Sequence, residues 1–221
     1  MAGQTAELTG VERPAASGRA DSLVIFLHGY GADANDLIGL ADPLAPHLPH
    51  TRFLAPNAPQ RCVNNPMGYQ WFPIPWLDGS TEAQARASME KSIDDVNAFL
   101  DGVLAREGLG ADRMVVVGFS QGTMMALHIL PRRDDAVAGI VGFSGRLLAP
   151  ELLDQVKVRP PVMLLHGDQD QMVPFADMGL AERALSGANF TVTTHTMRGT
   201  GHGISPDGLG AALGFVREAL G

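Results

Sequence analysis

Four short apolar runs punctuate the chain: Leu23–Leu27, Met114–Val117, Val137–Val141 and Val162–Leu165. Continuous apolar runs of this length predict strands covered on both faces, as in a parallel sheet between helices. A weaker run, Phe190–Met197, alternates with threonines and predicts a strand nearer an edge, and Arg52–Ala55 predicts another strand. Between the runs the period changes. Met89, Ile93, Val96, Leu100 and Val103 recur at steps of four and three, which places them in one stripe of a helix over 81–106. Leu209, Leu213, Val216 and Leu220 repeat the pattern at the C-terminus. Strands alternating with helices through the whole chain predict a doubly wound α/β sheet.

One stretch breaks the alternation. Residues 56–80 hold Pro56, Pro59, Pro66, Pro73 and Pro75 together with Trp71, Phe72 and Trp76. Proline at that density excludes a regular helix or a central strand. A loop of this length in a compact domain tends to be functional. Its aromatics predict a segment that packs down on the core and offers an apolar wall. Residues 1–20 are small and polar and predict a flexible lead-in, followed by a single domain over 21–221.

Composition narrows the function. At 221 residues and 45% apolar content the chain is long enough for one substantial core. A formal charge of −8, with no basic run longer than Arg132-Arg133, argues against nucleic acid as a partner. The single cysteine, Cys62, cannot form an internal disulfide or hold zinc alone. No positively charged leader precedes an apolar stretch, and the first apolar run is far short of the ~18 residues of a membrane span. These features predict a cytoplasmic protein without stable membrane insertion. No H-E-x-x-H, Walker A or dinucleotide pattern occurs, so neither metal nor cofactor is expected. No feature of the sequence specifies an oligomeric state.

The chemistry concentrates in three places. Gly118-Phe119-Ser120-Gln121-Gly122 follows a predicted strand and precedes a helix-like segment, the context that gives G-x-S-x-G its meaning. With nine serines and 26 glycines, chance alone supplies only about 0.1 such matches. Ser144 also follows a strand, but Arg146 fills the position where a second small residue is needed, so it reads as structural. A serine hydroxyl needs an imidazole to take its proton, and the imidazole needs an orienting acid. In folds with this elbow the order is Ser, Asp/Glu, His. Among the seven histidines, His47 and His50 lie in a Pro-rich connection, His128 on a helix and His195 within a strand. His28 and His166 end strands before glycine, where loop-fixing roles are common. His202, in Gly201-His202-Gly203 after the last strand, suits a general base. For the acid, Asp168 and Asp170 compete: Asp168 stands close enough to the strand end to cap a turn, whereas Asp170 reaches further out. An oxyanion hole needs two N–H groups. One should come from Gln121, the residue after the serine, and one from the Leu27-His28-Gly29-Tyr30-Gly31 turn, where the glycines allow the Tyr30 N–H to be presented.

Taken together, these segments resemble the α/β-hydrolase superfamily, and within it the small carboxylesterase/phospholipase family that includes the acyl-protein thioesterases. The resemblance runs from about Leu23 to the C-terminus. It is carried by Phe26–Gly31, Pro56-Asn57-Ala58-Pro59, Trp71-Phe72, Gly118–Gly122, His166–Asp170 with Val173-Pro174, and Gly201-His202. It implies an α/β-hydrolase fold with a mostly parallel central sheet, helices on both faces, no large cap domain and an open, shallow groove. It further implies Ser120 as nucleophile, Asp170 as acid, His202 as base, and the N–H groups of Tyr30 and Gln121 as oxyanion hole. The Pro-rich stretch Trp71–Trp76 departs from the thioesterase-like members and bears on acyl preference. Trp71, Phe72, Ile74, Met172 and Val173 are the candidates for an apolar acyl pocket. The expected activity is hydrolysis of small carboxylic esters of short to medium acyl chain through an acyl-enzyme on Ser120. A thioesterase or lysophospholipase is the alternative, since the same residues attack either carbonyl. A non-catalytic binding protein on this fold is disfavoured by the intact set.

Overall fold

The structure is a computed structural model that describes residues 7–221. Its elements are β1 (Gly10–Arg13), β2 (Ser22–Leu27), α1 (Ala34–Ile38), α2 (Ala41–Leu44), β3 (Thr51–Pro56), β4 (Gln60–Arg61) and β5 (Tyr69–Gln70). There follow α3 (Pro75–Asp78), α4 (Glu82–Glu107), β6 (Met114–Phe119), α5 (Gln121–Ile129), β7 (Gly139–Phe143) and β8 (Val162–Gly167). The chain ends with α6 (Ala176–Gly187), β9 (Val192–Met197) and α7 (Pro206–Leu220). Among the described residues the main sheet has seven strands in the order β1-β3-β2-β6-β7-β8-β9. All neighbours are parallel except β1 with β3.

Side chains alternate across a strand, so each buried apolar run feeds two cores. Leu23, Ile25 and Leu27 of β2 join Val116, Leu164, Val96, Leu100, Met125 and Leu185 on one face. Val24 and Phe26 join Val117, Phe143, Leu37, Leu44, Val216 and Leu220 on the other. Helices α4, α5 and α6 therefore cover one face and α1, α2 and α7 the other, as the double winding requires. The stripe of α4 is buried at Val96, Leu100 and Val103. Its ends are fixed by a reciprocal Thr81–Gln84 capping box and by Gly108 in the left-handed region at φ 67°.

Two expectations change, and part of a third lies outside the described residues. Residues 10–13 are not free: they form an edge strand on β3, where Glu12 pairs with Arg52 and Arg106. Residues 1–6, the start of the segment expected to be flexible, lie outside the described residues. The third run starts at Gly139 rather than Val137, because the Ala138 N–H still closes the connection onto Met114 O. Among the described residues no helix is long and apolar enough to cross a membrane.

The sheet switches direction between β2 and β6: β3 lies on one side of β2, and everything from β6 onward lies on the other. Open α/β sheets collect ligands at the carboxyl ends of strands beside such a switch. Here α5 packs so closely on the end of β2 that a Cβ at Gly122 would stand 1.9 Å from Leu27 O. Gly122→Ala should therefore cost more than about 4 kcal/mol, since backbone rather than a flexible side chain must give way. Gly102→Ala, on the open face of α4 with nothing within 4 Å, should instead gain about 0.5–1 kcal/mol. Urea midpoints of the two variants moving in the same direction would contradict this packing.

Candidate active site

Ser120 stands between the last residue of β6 and the first of α5, with φ 54° and ψ −115°. A non-glycine residue rarely adopts this backbone, and it persists only where the surroundings hold it. The holding contacts are visible. The Ser120 N–H donates to Phe143 O at 2.9 Å, and its carbonyl accepts from Met124 N at 3.2 Å. The hydroxyl is thereby raised at the carboxyl end of the sheet, before the positive end of α5.

The loop after β8 brings Asp170 to the same end of the sheet. Its Oδ1 accepts from Met172 N at 2.8 Å and Val173 N at 2.9 Å, and its Oδ2 meets His202 Nδ1 at 2.8 Å. Burial by itself would raise the Asp170 pKa, but hydrogen bonds from His202, Val173 and Met172 outweigh it and hold the carboxyl below its usual range. An ionised Asp170 requires the proton on Nδ1, which leaves the lone pair of His202 on Nε2. The His202 ring packs against Phe119, the neighbour of Ser120, with centroids 5.0 Å apart. Among the described residues no hydrogen bond joins Ser120 Oγ to His202. Such contacts commonly align only when substrate is bound.

The competing residues find other work. Asp168 Oδ1 accepts from Gly199 N at 2.7 Å and so braces the loop that carries His202. His166 Nε2 lies 3.0 Å from Val173 O and 3.2 Å from Asp170 Oδ2, a buried support for the acid loop. Ser144 is fully buried, and its hydroxyl donates to Gly203 O at 3.5 Å.

The turn after β2 lies against the elbow: a Cβ on Gly29 would stand 3.3 Å from Ser120 Cβ. His28 anchors it from below. Ala58 N–H donates to His28 Nε2 at 2.9 Å, so Nδ1 carries the proton and donates to Gly29 O at 2.7 Å. Burial lowers the His28 pKa and keeps the ring neutral. On the far side, Gly31 N donates to Tyr69 O and Asn65 Nδ2 to Gly31 O. Among the described residues the Tyr30 N–H has no acceptor. The Gln121 N–H, first in α5, has none within the helix.

The candidates for the acyl pocket separate. Trp71 is fully buried, its indole N–H donating to His28 O at 2.9 Å. It belongs to the core beneath the turn, and not to a surface that a substrate can touch. Phe72 and Ile74 are half-buried, Val173 is buried, and Met172 is 63% exposed. Sequence reasoning missed the Gln121 side chain. Its Oε1 accepts from Trp71 N and its Nε2 donates to Phe72 O, both at 2.8 Å, so one buried amide ties the aromatic segment to the elbow. A glutamine beside the serine was the available signal, but a backbone role alone accounted for it.

A sheet switched at β2, an elbow serine with positive φ, and an Asp–His pair on the last two strand-end loops define an α/β-hydrolase. The chain belongs to the phospholipase/carboxylesterase family, whose pattern it matches over residues 11–220. Acyl-protein thioesterase 1 of Gibberella zeae is 29% identical over 221 residues, covering 94% of each chain. Esterase YpfH of Escherichia coli is 25% identical over 202 residues, covering 91% of this chain and 84% of its own. The crystal structure of esterase PE8 superposes with a TM-score of 0.91 at 41% identity, covering 97% of this chain and 100% of that one. The protein is a hydrolase of the esterase/thioesterase class.

Proposed function

We propose that the protein is a serine carboxylesterase that cleaves small esters of short to medium acyl chain. The reading is carried by the 2.8 Å contact of His202 Nδ1 with buried Asp170, in a ring packed beside the strained Ser120 turn. Ser120 Oγ attacks the ester carbonyl while His202 Nε2 takes its proton. The N–H groups of Tyr30 and Gln121 receive the oxyanion. Collapse expels the alcohol, which takes the proton from His202 and leaves an acyl-serine. Water, deprotonated by the same nitrogen, then releases the acid and restores Ser120. Phe72, Ile74 and Met172, which retain exposure, supply the apolar surface for the acyl chain together with Val173.

The thioester alternative draws support from the acyl-protein thioesterase 1 of Gibberella zeae. Both readings require the same nucleophile. A fluorophosphonate probe should modify one residue, Ser120, as located by peptide mass spectrometry. Label at any other residue, or none, removes the assignment. Oxoesters and thioesters of matched acyl chains from two to sixteen carbons then separate the readings: the proposal expects kcat/KM to peak at eight carbons or fewer and to favour the oxoester. A long-chain thioester optimum would select the alternative.

A further inference from the structure

The oxyanion turn is held at three points, and only two are backbone. The His28 ring fixes Gly29 O, and Tyr69 with Asn65 fixes Gly31. Between them Tyr30 is flanked by two glycines, of which Gly31 has φ 77°. The Tyr30 N–H shares one rigid peptide plane with Gly29 O, so the His28 bond holds that plane at its carbonyl. Its other end is the Tyr30 Cα, and between two flexible glycines the place of that Cα depends on a third restraint. That restraint is the Tyr30 side chain. Its hydroxyl donates to Asp78 Oδ2 at 3.3 Å. The same oxygen accepts from Ile74 N at 2.8 Å, and Oδ1 accepts from Ser80 N at 3.0 Å. Asp78 is therefore rigidly held by its own turn before it meets Tyr30.

Asp78 is the last residue of the single turn α3, and its Oδ2 folds back on the N-cap of that turn, Ile74, with a second lone pair left for the Tyr30 hydroxyl. The protonation states agree with the bond. Burial would raise Asp78, but hydrogen bonds from Ser80, Ile74 and Tyr30 outweigh it and keep the carboxylate ionised. Burial, with Cys62 and Asp78 adding to it, raises the Tyr30 hydroxyl and keeps it a donor.

We infer that Asp78 is a positioning residue for the hydrolytic reaction, aiming the Tyr30 N–H at the oxyanion through the Tyr30 hydroxyl. The inference rests on the reading of Tyr30 as an oxyanion donor. It also couples that donor to the Ile74–Ser80 turn, so the acyl-facing segment and the oxyanion hole move as one body. At 3.3 Å the link is longer than most O–H···O bonds, and its removal should misaim one donor without deleting it.

The test is a cycle of Tyr30→Phe, Asp78→Ala and the double variant, assayed on p-nitrophenyl acetate. Tyr30→Phe removes only the hydroxyl and leaves the turn of Asp78 intact. It should lower kcat about tenfold with KM within about twofold, the signature of an interaction made only in the transition state. The affinity for a trifluoromethyl ketone, whose adduct on Ser120 carries the oxyanion, should weaken by the same factor. In the Asp78→Ala background the Tyr30→Phe change should cost little further, since both remove the same bond. Wild-type kcat and inhibitor affinity in Tyr30→Phe, or effects that simply multiply, would overturn the inference. If Asp78→Ala proves too unstable to assay, the kcat–KM split and the inhibitor affinity of Tyr30→Phe decide alone. Fluorophosphonate labelling keeps the two levels apart: label on Ser120 with an unchanged Tyr30→Phe rejects the positioning role only, whereas absent label rejects the hydrolytic reading beneath it.

Discussion

Ser120→Ala and His202→Ala should each lower kcat on p-nitrophenyl acetate about a millionfold, and the double variant should be no worse than either alone. In the proposed mechanism the serine supplies the oxygen that becomes acylated, so its methyl replacement leaves only water as nucleophile. The imidazole supplies the proton acceptor, so without it the hydroxyl attacks at its own poor reactivity. Neither half functions without the other, and two losses within one unit do not add. What survives is the ability to bind the ester and to hold its oxyanion, worth about a thousandfold or more over water. KM should therefore move little. Single-turnover rates at high enzyme concentration, with circular dichroism to verify folding, provide the measurement. Multiplicative losses, or a Ser120→Ala variant within a hundredfold of wild type, would mean that the hydroxyl and the ring do not act together.

Much of this was legible before any coordinates, for a physical reason. Strands buried on both faces must be apolar throughout, so Leu23–Leu27 and Met114–Val117 stand out, and both are β-strands in the sheet centre. An elbow needs residues without side chains at fixed offsets from its serine, so Gly118 and Gly122 marked the turn. Where the determinant is a single pairing rather than a period, the sequence is silent. The edge strand Gly10–Arg13 has no apolar run, and its place on β3 depends on backbone pairing and on ion pairs of Glu12 and Arg13 with distant residues. Trp71 and Trp76 look alike in a Pro-rich stretch, yet one is fully buried and the other is 80% exposed. What separates them is Trp71's indole bond to His28 O and backbone bonds to Ser92 and Gln121, partners 21 to 50 residues away. The same limit hid the Gln121 amide and the carboxylate of Asp78: local spacing reports periodic burial, not a long-range hydrogen bond.

Asp170→Asn should lower kcat about ten-thousandfold with KM nearly unchanged, and the cause is a proton on the wrong nitrogen. Met172 N and Val173 N will continue to hold the side-chain oxygen in the Oδ1 position, because both are donors that only an acceptor satisfies. The new amide nitrogen then takes the place of Oδ2 and presents N–H to His202 Nδ1. Nδ1 must become the acceptor, the ring proton moves to Nε2, and the nitrogen that should receive the Ser120 proton is already occupied. Asp168→Asn is the control: its Oδ1 only accepts from Gly199 N, an interaction that an asparagine oxygen preserves, so kcat should remain within about threefold. Stability provides a second readout. Because the folded Asp170 pKa lies below its usual value, the ionised carboxylate stabilises the native state above the unfolded pKa of about 3.9 and loses that contribution as pH falls through the folded pKa. The asparagine variant has no such proton to take up. The gap in melting temperature between wild type and Asp170→Asn should thus be full near pH 7 and narrow as the pH drops below about 4. A gap that widened on acidification, or a full catalytic loss appearing in Asp168→Asn instead, would move the acid role from one aspartate to the other.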